Sequence, residues 1–137
     1  MAILYVARSP KLSQWGSDVG LSKHLYKLGV TEAPIKAVIA AGWAGETDWI
    51  LVKQVAAPEE LTEQAAIANV ARRDKMVDPA LYPRIRDVAG IFKTLPAHVE
   101  NHIVMAKALA GDTDLAAPKP KHPDFAAYLI AGARRAS

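Results

Sequence analysis

Leu25-Tyr26-Lys27-Leu28-Gly29-Val30-Thr31 (LYKLGVT) is the stretch that decides how this chain folds. Tyr26, Leu28 and Val30 alternate with the residues between them, the period of a strand with one face against a core. Upstream, Met1 to Ala7 is a short apolar run with β-prone Ile3, Tyr5 and Val6, which reads as a buried strand ended by Ser9-Pro10. Residues 11–24, with Trp15-Gly16 and Val19-Gly20 among polar neighbours, read as a structured loop between the two strands. Downstream, Thr31 can cap a helix with Pro34 in its first turn, running to about Ala41 before Gly42.

Farther out, a glycine-rich turn, Gly42 to Asp48, is flanked by Trp43 and Trp49, and Trp49 to Val55 has the β-branched content of a third strand. Pro58-Glu59-Glu60 opens a helix with acids where its dipole favours them, and Leu61, Ile67 and Val70 give it an apolar stripe to about Met76. Gly90 to Leu95 is a fourth strand candidate. Pro96 starts a helix whose Val99, Ile103 and Ala106 share a face, with Gly111 as its C-terminal cap. Ala116 to Pro123 (AAPKPKHP) reads as a linker, and Asp124 to Arg135 as a helix with Phe125, Tyr128 and Leu129 on one side. That apolar side either docks back on the core or packs against a second subunit as a homodimer contact. The fold class is α/β in the α+β sense: a small sheet of three to four strands flanked by helices, with a C-terminal helical extension. Residues 1–112 form the domain and 113–137 the Pro/Lys linker and last helix.

The length of 137 residues fits one domain, and a hydrophobic share of 51% with 23% charged residues is that of a globular protein. Cysteine is absent, which excludes disulfide scaffolds, thiolate metal sites and a thiol nucleophile. No apolar run approaches the ~20 residues of a bilayer span, and the N-terminal stretch has no basic lead-in for a signal peptide. No membrane partner and a cytoplasmic location are expected. The net charge of +3 permits a polyanionic partner without a basic tail to clamp it.

Two strands that each place a tyrosine early, followed by a glycine and a helix, make the chain resemble the GIY-YIG nuclease family. The matching pieces are Ile3-Leu4-Tyr5 and Tyr26-Lys27-Leu28-Gly29-Val30-Thr31. The order of elements, closing with Gly90-Ile91-Phe92 and a helix, looks like the phage-type branch, over roughly residues 1–110. The resemblance implies a compact sheet that holds one divalent metal, Mg²⁺ given the lack of thiols, and hydrolyses phosphodiester bonds in nucleic acid. It makes Tyr5 and Tyr26 the motif tyrosines, which position or deprotonate water. It makes Glu63 the metal-binding acid and matches Asn101 to an asparagine near the end of the module. The first motif carries Ile3 in place of glycine, and Ala37 stands near the position of the family arginine, so Lys36 or Arg72 would supply the cation. A tyrosine accepts a proton only if cations depress its pKa from ~10. The second reading is a non-catalytic module that keeps the fold to bind nucleic acid or a protein.

Other constellations carry paired readings. Arg72-Arg73 and Arg84 with Arg86 are the candidate phosphate contacts, since arginine grips phosphate through paired donors, or else surface ion pairs with Glu63, Asp74 and Asp87. His98 and His102, spaced i and i+4, can face one metal, with His102 as a supplementary ligand, or are one surface and one packing histidine. The three tryptophans are a stacking platform for bases or loop anchors. Glu46 and Asp48 are cation ligands or ordinary turn acids. No glycine-rich phosphate loop and no GxSxG elbow is present.

Overall fold

The computed structural model describes residues 2–86, 88–111 and 119–134. Their order is β1 (Ile3–Arg8), α1 (Pro10–Asp18), β2 (Leu25–Thr31), α2 (Ile35–Ala41), β3 (Ile50–Ala56), α3 (Glu63–Ala71), β4 (Lys75–Met76), β5 (Ile91–Lys93), α4 (Pro96–Leu109) and α5 (His122–Arg134). Among the described residues the five strands form one antiparallel sheet in the order β3-β1-β2-β5-β4. The expected α+β class therefore holds, with one strand more than the sequence suggested. That strand, β4, lies where the Pro58 helix was expected to continue, and it pairs Lys75 and Met76 with Lys93 and Phe92.

The pleat sorts side chains to two cores. Leu4, Val6, Tyr26, Leu28 and Phe92 meet α3, α4 and α5 on one face, through Ala66, Val70, Val99, Phe125 and Leu129. On the other face Ala7, Leu25 and Ile91 meet Leu12 of α1, Ala44, Trp49 and Ile85. The alternation in LYKLGVT holds, and Tyr26 and Leu28 go to the first core.

Helix α1 replaces the loop expected over residues 11–24. Ser9 and Pro10, which look like a strand breaker, are a helix start: the Ser9 hydroxyl accepts the Leu12 N–H at 3.1 Å and Pro10 occupies the first turn. Gly16 lies inside this helix because a Cβ there would come within 3.0 Å of the Ser22 carbonyl and Leu25. Helix α2 starts at Ile35 after Pro34, and Thr31 instead accepts the Ala33 N–H in the preceding turn. Helix α3 starts at Glu63, not Pro58. Thr62 caps it by accepting the Ala65 N–H at 3.1 Å, so Glu63, rather than Glu59 or Glu60, is the acid at the positive end of its dipole.

Helix α5 settles the choice left open for the C-terminal helix. Phe125, Ala126, Tyr128, Leu129, Ile130 and Ala133 are all buried within the chain, against β1, β2, β3 and α3. The face expected as a homodimer contact is thus used inside the monomer. Residues 116–118 of the expected linker, Asp87 and Arg135 lie outside the described residues. No described helix is long and apolar enough to cross a membrane.

Phe125 stacks on Tyr26 at 5.2 Å between ring centroids and on His24 at 4.7 Å. Phe125→Ala is expected to lower stability by about 3–5 kcal/mol through the cavity it leaves. Urea unfolding of the two proteins checks this, and an unchanged midpoint would mean that α5 does not belong to the core.

Candidate functional site

The neighbouring strands β1 and β2 pair Tyr5 with Gly29 and Ala7 with Lys27. Tyr5, Lys27 and Gly29 therefore share the sheet face opposite Tyr26 and Leu28. Strand β5 is short and reaches only Leu25 to Lys27. The edge of β2 beyond that point is left to α3, whose first residue, Glu63, accepts the Val30 N–H at 3.1 Å. The same Glu63 oxygen, Oε1, lies 3.8 Å from the Lys27 ammonium. Gly29 makes the meeting possible. A Cβ there would come within 3.0 Å of both the Tyr5 hydroxyl and Glu63 Oε1, closer than side chains pack, so bare backbone is required.

Lys27 is only 3% exposed. Its Nζ donates to the Leu28 carbonyl at 2.8 Å and lies 5.7 Å from the ring centre of Tyr5 and 5.4 Å from that of Trp43. Trp43 stacks on Tyr5 with centroids 5.7 Å apart, closing the site from above. The turn carrying Trp43 is braced: Arg84 donates to the Ala44 carbonyl at 2.6 Å and pairs with Glu46 at 3.1 Å, and the Trp49 indole N–H donates to the Trp43 carbonyl. Glu63, whose side chain is 45% exposed, is the site's face toward solvent.

Electrostatics assign protonation states. Burial pushes the Tyr5 phenol above its ordinary range, and the Glu63 carboxylate pushes it further, so Tyr5 is a proton donor and not the proton acceptor allowed for above. Burial pulls the Lys27 ammonium down, and Glu63 partly restores it through charge and hydrogen bonding.

Several expectations for individual residues change. Tyr26 does not join Tyr5. It points to the other core, where its hydroxyl is 2.8 Å from His122 Nδ1 and burial raises its pKa, with Arg8 opposing. The residue facing the site is Lys27, two positions before Gly29. Lys27 and Gly29 share that face because successive side chains of a strand alternate, which sends Tyr26 to the other. Lys36 is exposed on α2 beside a shallow apolar pocket with Ile35, Ile39 and Trp49, while the cation at Tyr5 is Lys27. Arg72 and Arg73 follow the far end of α3, about 12 Å along its axis from Glu63 by helical rise. Arg84 is a brace for the Trp43 turn, whereas Arg86, exposed, packs its guanidinium against Gly45 of that turn.

Asn101 and His102 line a different cleft, of about 870 Å³, between α3, α4 and α5, with Arg73, Asp74 and His98. There His98 pairs with buried Asp74 at 3.6 Å and His102 meets the Tyr128 ring edge-on. Burial raises the Asp74 carboxyl above its usual range, against the opposing pull of Tyr128 and of the His98 ring 3.6 Å away. Among the described residues no group of three His, Asp or Glu side chains is arranged to hold a metal ion. Glu46 and Asp48 serve the fold: the first pairs with Arg84, the second accepts from the Ser9 hydroxyl and the Lys11 N–H. The tryptophans act as loop anchors, Trp49 buried beneath Trp43 and Trp15 edge-on to Tyr82.

Because the folded state disfavours protonated Lys27, it holds fewer protons than the unfolded state below pH ~10.5, and this contribution to stability improves as pH rises toward that value. Lys27→Met removes the penalty and, because Glu63 is half-exposed and keeps its water, is expected to match or exceed the parent at pH 7. The difference should shrink as the pH approaches 10. Paired denaturant titrations at pH 7 and pH 9.5 measure it; a difference that grows with pH would contradict the burial of a charged lysine. Comparison with family models, with curated proteins and with solved structures returns no match for this chain.

Proposed function

We propose that this chain is a metal-dependent endonuclease-like domain that hydrolyses phosphodiester bonds in nucleic acid. The observation that carries the reading is the convergence of the Tyr5 hydroxyl, the Lys27 ammonium and the Glu63 carboxylate over the bare backbone of Gly29. A nearly buried lysine paired to a half-exposed carboxylate is an arrangement typical of functional sites. Charge accumulates on phosphate oxygens in the transition state, and a fixed cation and a fixed hydroxyl donor stabilise it there. Lys27 is the cation in this scheme, in place of Lys36 or Arg72. Tyr5, held protonated, donates to the phosphate or orients the attacking water. Arg86, exposed beside the Trp43 turn, is available to the flanking backbone.

Glu63 is the residue that would hold Mg²⁺. It supplies a single carboxylate, and one or two carboxylates with water and substrate phosphates is a mode magnesium uses. The metal would neutralise phosphate charge and activate water. Substrate would enter from the Glu63 side, since Trp43 covers Tyr5.

That cover also favours the second reading, a non-catalytic nucleic-acid-binding or protein-interaction module. Tyr5 is 2% exposed beneath the Trp43 ring, which leaves a phosphate little access to its hydroxyl. Incubation of the purified protein with plasmid and structured DNA, with and without Mg²⁺, separates the two. Metal-dependent cleavage that falls about 10²–10³-fold in Tyr5→Phe, Lys27→Met and Glu63→Gln supports the enzyme. Duplex binding with no cleavage supports the module, and cleavage unchanged in all three variants removes these residues from the chemistry.

A further inference from the structure

The far end of the β1-β2 pair, on the face away from Tyr5, gathers cations from three distant parts of the sequence. Tyr26 is the organiser. Its hydroxyl holds His122 at 2.8 Å, and its ring stacks on Phe125, which in turn stacks on His24. These contacts draw the segment before β2 and the segment entering α5 to one place, and with them exposed Lys23, Lys119 and Lys121. Arg8 continues β1 one residue past the Ala7–Lys27 pair and so stands beside Tyr26. The cations sense one another: His24 is held below its usual pKa by burial and then by Lys23, His122 and Lys119, and His122 by burial and then by Arg8.

None of Arg8, Lys23, Lys119 or Lys121 forms an ion pair among the described residues. Of the described acids close in the chain, Asp124 accepts the Lys121 N–H at 2.9 Å, Asp18 accepts from the Gln14 amide at 3.0 Å, and Asp48 is tied to Ser9 and Lys11. Arg8, Lys23, Lys119 and Lys121, drawn together without an ion pair among the described residues, repel one another, and a polyanion relieves that repulsion. Exposed lysines spaced over a surface suit a repeating phosphate chain better than a single small anion, which needs a built pocket.

We propose that the surface formed by Arg8, Lys23, His24, Lys119, Lys121 and His122 binds the phosphate backbone of nucleic acid. This site is distinct from the Tyr5–Lys27–Glu63 cluster and from the arginines named above. It rests on the proposed function for its choice of partner and not for catalysis. Binding here is independent of base sequence, because lysines on phosphates read charge alone. Residues entering α5 are thereby given a task besides covering the core: they carry a second grip that holds the substrate while the Glu63 side works on it.

The test is binding of a fluorescein-labelled duplex, followed by anisotropy from 50 to 300 mM NaCl with EDTA present so that no cleavage intervenes. Each phosphate contact contributes about 0.9 to the slope of log affinity against log salt. Replacing Lys23, Lys119 and Lys121 together by Gln should reduce that slope by roughly 2–3 and weaken binding about tenfold or more at low salt. Lys36→Gln with Lys53→Gln, on α2 and β3, should leave both unchanged. A triple variant that binds with the parental affinity and slope overturns the proposal. So does a parent that ignores the duplex and binds phosphatidylcholine–phosphatidylserine vesicles instead. If the triple variant loses the duplex while the parent never cleaves with Mg²⁺, the surface stands and the endonuclease reading fails. If the parent cleaves and the triple variant binds as the parent does, the surface alone fails.

Discussion

A lysine ammonium buried beneath two aromatic rings is the constraint on which one whole side of this molecule depends. A charge taken out of water is tolerable only where partners replace its hydration. Lys27 has the Leu28 carbonyl, the Glu63 carboxylate and the faces of Tyr5 and Trp43. Each partner imposes a demand. Glu63 must reach across Gly29, so that residue carries no Cβ. Helix α3 must begin beside the edge of β2, so β5 must stop at Lys27 and leave the Val30 N–H to the carboxylate. Trp43 must lie flat on Tyr5, so its turn is held by Arg84, Glu46 and the Trp49 indole. Removing Glu63 would therefore do more damage than removing Lys27, because it leaves the buried charge and an edge N–H both unanswered.

The opposite face of the sheet obeys a different rule. It is apolar, and its cover comes from the last helix. Helix α5 supplies six buried side chains to a layer that α3 and α4 leave incomplete, since Val99 is the one fully buried residue of α4. The helix is fastened at its entry by Tyr26, which gives its ring to Phe125 and its hydroxyl to His122. One strand thus serves both sides: Lys27 organises the polar site, and Tyr26, its neighbour, organises the packing and the basic surface around it. Their separation by a single position sends one side chain to each face of the sheet.

Much of the architecture was legible in residues 1–56 and 96–111. Alternation in LYKLGVT, the β-branched run after Trp49 and Pro96 before an apolar stripe are local signals, and local signals survive any tertiary arrangement. Helix α1 was not legible, because Ser9-Pro10 means either a stop or a capped start and only the packing of Leu12 and Gly16 on β2 selects between them. The start of α3 was masked by Pro58-Glu59-Glu60, whose composition mimics the helix opening that Thr62-Glu63 supplies. The two residues of β4 carry no periodicity of their own and exist because β5 offers them an edge. Within the site, Tyr5 and Glu63 entered through the family resemblance, whereas Lys27 carries no signal of its own: a strand lysine is ordinarily solvated, and only the rings of Tyr5 and Trp43 bury it.

By itself the sequence determined the fold class, the freedom from thiol chemistry and the two strands that carry the site, because these follow from composition and from periods of two and 3.6 residues. The tertiary structure decided which side chains meet. Tyr26 and Tyr5 are parted by the pleat, and Lys27 and Glu63 are joined across the open edge of β2. Arg84 is spent on a turn, and the apolar face of α5 is buried within its own chain. Such pairings depend on strand register and on where a neighbouring element ends, and no run of residues read along the chain contains either.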